Sequence, residues 1–120
     1  MSTASDPTFE ARPWGSFTVL DDQATHKVKS LTVNPGHRLS YQQHARRSEH
    51  WFVVAGTATV TLDGREATIE RGECIDIPLH SWHRMENRCA EPLVFIEVQQ
   101  GDYFGEDDIV RASDDYGRVN

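Results

Sequence analysis

Cysteine is scarce in this chain. Cys74 and Cys89 are the only two, they form no CxxC pair, and both are expected as free thiols packed like small apolar groups in a reducing compartment. Long apolar runs are missing as well. No stretch approaches the ~20 residues that cross a bilayer, so no membrane partner is expected. Met1 to Asp6 lack a basic start followed by an apolar run, which gives no signal peptide and an expected cytoplasmic location. Positive charge is in deficit: 12 Lys and Arg stand against 19 Asp and Glu, for a formal net charge of −7. That balance argues against nucleic acid as a partner. Helical patterning is almost absent, and only Glu106–Arg111 resembles a short helix.

What is present fits one soluble globular domain. The 120 residues can bury one core but not two, and 38% of them are hydrophobic against 26% charged. The charge is segregated. Between His26 and His50, Lys27, Lys29, Arg38, Arg46 and Arg47 face Glu49 alone, whereas the chain from Glu97 onward is strongly acidic. A basic region inside an acidic protein suggests a small anionic ligand; a solvated face with an acidic tail is the plainer alternative.

Residues 1–10 are polar and unpatterned and are expected to form a loose arm, with the domain spanning 11–120. The domain reads as short strands separated by turn residues. The pattern predicts strands at Ser16–Leu20, Lys27–Val33, Arg38–Gln43, Glu49–Val54, Thr57–Leu62, Glu66–Glu70, Glu73–Ile77, His83–Asn87 and Leu93–Gln99. Asn34-Pro35-Gly36 marks a turn, and Asp63-Gly64 between two β-rich runs predicts a hairpin. Gly56, Gly72 and Pro78 add further breaks. Many short, evenly spaced strands indicate a sandwich or barrel. Phe52-Val53-Val54 and Leu93-Val94-Phe95-Ile96 are nearly continuous apolar runs, expected on inner strands buried on both faces.

Spacing singles out four residues. Gln42 and His44 are two apart, so on a strand they face one side. Glu49 opens the next strand, and His83 follows a Pro-containing turn much later. Two nitrogens and two oxygens from three strands can then close around one divalent ion.

The segment Gly36…Gln42-x-His44…Glu49…Gly56 resembles the first cupin motif, and Gly72…Pro78-x-His80-x-x-His83…Asn87 resembles the second. Gln42 stands where most metal cupins have a first histidine, and His80 where the second motif has glycine. The resemblance implies an all-β fold, a single-domain double-stranded β-helix of the cupin or jelly-roll type. A neutral glutamine oxygen is a harder and weaker donor than imidazole. It suits Lewis-acid work by zinc, manganese or cobalt better than dioxygen chemistry on iron.

A narrower likeness runs from Arg12 to Arg118. Its marks are Arg12-Pro13-Trp14-Gly15, Val33-x-Pro35-Gly36-x-x-Leu39-Ser40-x-Gln42-x-His44, Arg47-x-Glu49-His50-Trp51, Ile96-Glu97-Val98-Gln99-x-Gly101 and Gly105-Glu106-Asp107-Asp108-Ile109-x-Arg111. These resemble the type II phosphomannose isomerase domain, which also forms the C-terminal part of bifunctional enzymes with a mannose-1-phosphate guanylyltransferase. The nucleotidyltransferase part has no counterpart in the sequence, so guanylyl transfer is not expected.

The resemblance implies interconversion of mannose 6-phosphate and fructose 6-phosphate with one divalent ion held by Gln42, His44, Glu49 and His83. It also implies a homodimer. Arg47, placed in the loop between two ligand strands, is expected to bind substrate or stabilise charge, with a surface arginine as the alternative. Lys29 shares strand parity with Leu31 and Val33 and can point inward to bind phosphate or shuttle protons. Arg118 can reach the phosphate if the tail folds over the barrel mouth. Glu97 is the candidate base, with a metal-bound water as the alternative. His50 turns to the opposite face from Glu49, and Trp51 can line the cavity floor. Two other functions stay open: a non-catalytic module binding a sugar phosphate or nucleotide sugar, and another cupin enzyme such as an epimerase or dioxygenase.

Overall fold

A computed structural model describes residues 8–117, and these form eleven strands and no helix. They are β1 (Thr8–Arg12), β2 (Gly15–Asp22), β3 (His26–Val33), β4 (Tyr41–Gln43), β5 (Arg47–Ala55), β6 (Thr57–Leu62), β7 (Arg65–Glu70), β8 (Cys74–Ile77), β9 (His83–Glu86), β10 (Leu93–Gly101) and β11 (Val110–Ser113). One sheet of six strands has the order β1-β2-β3-β10-β5-β8, and a second of five has the order β11-β4-β9-β6-β7. Every pairing is antiparallel. The arrangement is the two-sheet barrel expected from the strand pattern.

Strand alternation builds the core. Leu31 and Val33 on β3, Val53 on β5 and Leu93 and Phe95 on β10 all point between the sheets and are buried. Each such side chain contributes about 1.5–3 kcal/mol by leaving water. Paired rows across the six-stranded sheet change character along the strands. Val33 faces Leu93, and Leu31 faces Phe95, which faces Val53. The next row is Lys29, Glu97 and Trp51; beyond it Gln99 faces Glu49. One end of the interior is therefore sealed by hydrocarbon, and the other is lined by charge.

The Asp63-Gly64 hairpin between β6 and β7 forms as expected. Both residues take positive φ, 48° and 81°, which matches the right-handed twist of the flanking strands. Gly56 is required where β5 turns into β6. Its φ is 83°, and a Cβ there would lie 2.7 Å from the Pro92 carbonyl oxygen.

Several expectations are corrected. Thr8–Glu10 belong to β1, paired with β2, so the arm cannot extend to residue 10; residues 1–7 lie outside the described residues. Glu106–Arg111 is not helical: a turn covers its start, and Val110 begins β11. The apolar run in β5 is buried on one face only, since Phe52 is 41% and Val54 42% exposed, and in β10 the outward Val94 and Ile96 are half-buried. Cys74 and Cys89 are free thiols, but both are exposed rather than packed.

Candidate metal centre

The three titratable ligand candidates converge at the polar end of the interior. His44 follows β4, Glu49 lies on β5 and His83 opens β9, and one ligand atom from each lies within 4.8 Å of the others. All three are buried. The His44 Nδ1 donates to the Asp108 carbonyl at 2.5 Å, and the His83 Nδ1 donates to the Ser81 carbonyl at 3.0 Å. Both rings are thereby fixed in the tautomer whose Nε2 carries the lone pair. The His44 Nε2 is 3.4 Å from Glu49 Oε2.

Gln42 pairs directly with His83 across β4 and β9, so it presents its side chain to the same face. Its amide nitrogen donates to Ser40 Oγ at 3.0 Å, which leaves the amide oxygen as the end suited to a cation. Burial holds the His44 and His83 pKa values below the ordinary histidine range, so both imidazoles are neutral near neutrality. Burial alone would raise the Glu49 carboxyl, but Arg47 and the two histidines outweigh it and hold the group ionised. Two neutral imidazoles, one carboxylate and one amide oxygen form a donor set that fits a divalent cation.

A second shell of buried charge surrounds these atoms. The Trp51 indole N–H donates to Glu49 Oε1 at 2.9 Å and to Glu97 Oε1 at 3.2 Å. Gln99 donates to Glu97 Oε2 at 2.6 Å. Burial first, and then the neighbouring Glu49 charge, pushes the Glu97 carboxyl up to about 8. Arg47 donates through Nε to Glu49 Oε2 at 2.8 Å and through an Nη to His44 Nε2 at 3.2 Å. Arg47 is 6% exposed and stands at the start of β5, not in a loop; the surface-arginine alternative is overturned.

Lys29 points inward and is buried, with Nζ 4.3 Å from the Phe17 ring centroid and 3.2 Å from Glu106 Oε2. Lys29, Gln42, His44, Arg47, Glu49, Trp51, His83, Glu97 and Glu106 line one cavity of about 210 Å³. His50 faces away, as alternation requires, and pairs with Asp76 at 2.6 Å. Arg118 lies outside the described residues.

The sequence of residues 5–114 matches the family described as mannose-6-phosphate isomerase C-terminal. The chain belongs to that family. Among curated relatives, a mannose-1-phosphate guanylyltransferase of Escherichia coli K12 is 50% identical over 108 residues, covering 90% of this chain and 23% of the relative. The alginate biosynthesis protein AlgA of Pseudomonas aeruginosa is also 50% identical over 108 residues, covering 90% of this chain and 22% of AlgA. The chain thus spans less than a quarter of the length of these family relatives.

Solved structures agree on the fold. The capsular polysaccharide assembling protein CapF of Staphylococcus aureus superposes with a TM-score of 0.78 at 21% identity, over 88% of this chain and 34% of CapF. A cupin-2 domain protein of Rhodospirillum rubrum gives a TM-score of 0.71 at 17% identity, over 85% of this chain and 78% of that one. The family member described here is therefore a cupin-type double-stranded β-helix.

Three features of the site escaped the sequence reading. Asp108 sets the His44 tautomer through a backbone carbonyl, which no side-chain pattern reports. Trp51 was expected only as cavity floor, yet it donates to both buried carboxylates. Glu106 reaches Lys29 across 77 residues of sequence. The opposed charge of the basic segment and the acidic tail was the one available signal for that contact.

Proposed function

We propose that this barrel is a metal-dependent aldose–ketose isomerase that interconverts mannose 6-phosphate and fructose 6-phosphate. The observation that carries the reading is one cavity that gathers a cation-binding donor set, a buried carboxyl that can hold a proton near neutrality, and two buried cations. Membership of the family supports the same reading.

Gln42, His44, Glu49 and His83 would hold a divalent ion. Zinc, manganese or cobalt suits the donors, and the ion supplies positive charge to the substrate oxygens during isomerisation. The remaining work falls to the chain's own groups. While the hydroxyl proton passes from one substrate oxygen to the other, Glu97 takes the proton from the carbon beside the carbonyl and returns it to the neighbouring carbon. Its raised pKa lets the acid form persist between the two transfers. Trp51 and Gln99 fix both Glu97 oxygens and so aim the carboxyl. Arg47 and Lys29 meet the negative charge of the sugar phosphate, Arg47 through a planar fork suited to oxyanions. The substrate is a small sugar phosphate, the setting is cytoplasmic, and the active species is a homodimer.

A coupled assay for fructose 6-phosphate formation, run on protein loaded in turn with zinc, manganese and cobalt, tests the reading. His83→Ala is expected to lose most bound metal and all turnover. Arg47→Ala is expected to keep its metal while kcat/KM falls about 100-fold or more, the scale of losing a charged transition-state partner. Binding of mannose 6-phosphate without turnover for every metal would replace the isomerase with a sugar-phosphate binding module. An Arg47→Ala variant as active as the parent would remove Arg47 from the chemistry.

A further inference from the structure

The acidic tail does not hang free of the basic segment; it folds onto it. Arg46 meets Asp102 at 3.0 Å, Arg38 meets Asp115 at 2.8 Å, and Glu106 meets both buried cations of the cavity. A single oxygen, Glu106 Oε2, lies 3.2 Å from Lys29 Nζ and 3.8 Å from Arg47 Nη1. The two cations are only 5% and 6% exposed, whereas Glu106 is 58% exposed. The carboxylate thus closes the pair from the solvent side. Arg47 Nη1 is buried and makes no hydrogen bond, so the guanidinium retains an unused donor facing this point.

Glu106 sits between β10, which ends at Gly101, and β11, which begins at Val110. Its segment forms turns and no ladder, so it can shift without breaking a sheet. Glu49 already pairs with Arg47 from the inner side at 2.8 Å, so Glu106 is the counter-ion on the solvent side, and an exposed carboxylate on a turn is the less costly of the two to move.

We propose that Glu106 is a built-in competitor for the Lys29–Arg47 anion site, and that a phosphate group binds by displacing it. The proposal rests on the reading of Lys29 and Arg47 as the anion-binding pair. A dianionic phosphate outcompetes one carboxylate for two cations, while a neutral sugar has no charge with which to do so. Glu106 therefore sets selectivity for phosphorylated over unphosphorylated substrates and covers the solvent side of the pair between turnovers.

Inorganic phosphate is the probe, titrated calorimetrically into protein passed over a chelating resin, so that no bound metal competes for it. Glu106→Gln is expected to bind phosphate about ten-fold tighter than the parent, the effect of losing one charge-assisted contact. Lys29→Met is expected to abolish binding. Unchanged or weaker binding in Glu106→Gln, with Lys29→Met still abolishing it, overturns the competitor role and leaves the anion site standing. Phosphate binding that survives Lys29→Met overturns both. A second measurement needs no variant: amide exchange at Gly105–Asp107 of the parent is expected to quicken at saturating phosphate. Unchanged or slower exchange there overturns displacement.

Discussion

His80 carries a φ of 64°, in the left-handed region where an L side chain crowds its own backbone. Its N–H donates to the His44 carbonyl at 2.8 Å, so this turn is pinned against the segment that bears a candidate ligand. In the cupin pattern glycine holds this position, and the structure supplies the reason: the turn needs positive φ whatever the residue. His80→Gly is therefore expected to stabilise the fold by about 0.5–1 kcal/mol, read from the urea midpoint at constant slope. If the variant is destabilised instead, the imidazole makes a contact worth more than the backbone relief. Single residues were legible where strand parity controls them. Gln42, His44, Glu49 and His83 could be grouped from spacing because each sits on or beside a strand whose faces alternate. Lys29 and Glu97 came from parity too. Glu106 did not, because residues 102–109 have no period to read and its partners lie 77 and 59 positions back in the chain.

At the scale of elements, nine of the eleven strands were readable, the edge strands β7 and β8 among them, and the edge strands β1 and β11 were not. β3, β5, β6 and β10 carry strong β-branched or aromatic character, and the reading found them within a few residues. β1 and β11 are edge strands whose pairing is fixed by partners, not by their own composition. β11 was masked by the run Glu106-Asp107-Asp108, which looks like the first turn of a helix. Among the described residues beyond β11, charge and an aromatic contact help to tie the chain down. Arg38 donates twice to Asp115, at 2.8 and 3.0 Å, and Tyr116 meets His37 at 2.7 Å. The Arg38 hydrogen bonds hold the Asp115 carboxyl below its ordinary value of 3.8. A depressed carboxyl stabilises the folded tail fully above its unfolded pKa and loses that contribution as pH falls through the lower folded one. Amide exchange across Ala112–Gly117 is thus expected to quicken below pH 3.8, ahead of the barrel strands, and to quicken with salt at neutral pH. Asp115→Asn should show the fast exchange at every pH. Tail protection that is insensitive to both acid and the substitution would mean that contacts other than the Arg38–Asp115 pair secure the segment.

On the scale of the whole molecule, the two faces of the six-stranded sheet are unequal to their surroundings. The inner face is closed by the second sheet. The outer face has no covering helix among the described residues, and it exposes Phe52 and Val54 among polar neighbours. One cross-strand row runs Phe9, Thr18, Ser30, Ile96, Phe52 and Cys74 through all six strands. Phe52 is 41% exposed and Val54, on the same face of β5, is 42% exposed, while Phe9 at the β1 edge is 66% exposed. Apolar patches of this kind on a sheet mark association surfaces. A second copy of the same sheet, turned about a two-fold axis, offers the same exposed apolar side chains without any new sequence requirement. The proposed homodimer is therefore expected to pair back to back through these sheets, leaving both cavities open on opposite sides. Light scattering after gel filtration should give twice the 13.6 kDa chain mass. Phe52→Glu should halve that value and leave the far-ultraviolet circular dichroism unchanged, because Phe52 contributes nothing to the buried core. A parent protein that elutes at the single-chain mass would refute the pairing, and an equally dimeric Phe52→Glu variant would move the interface to another face.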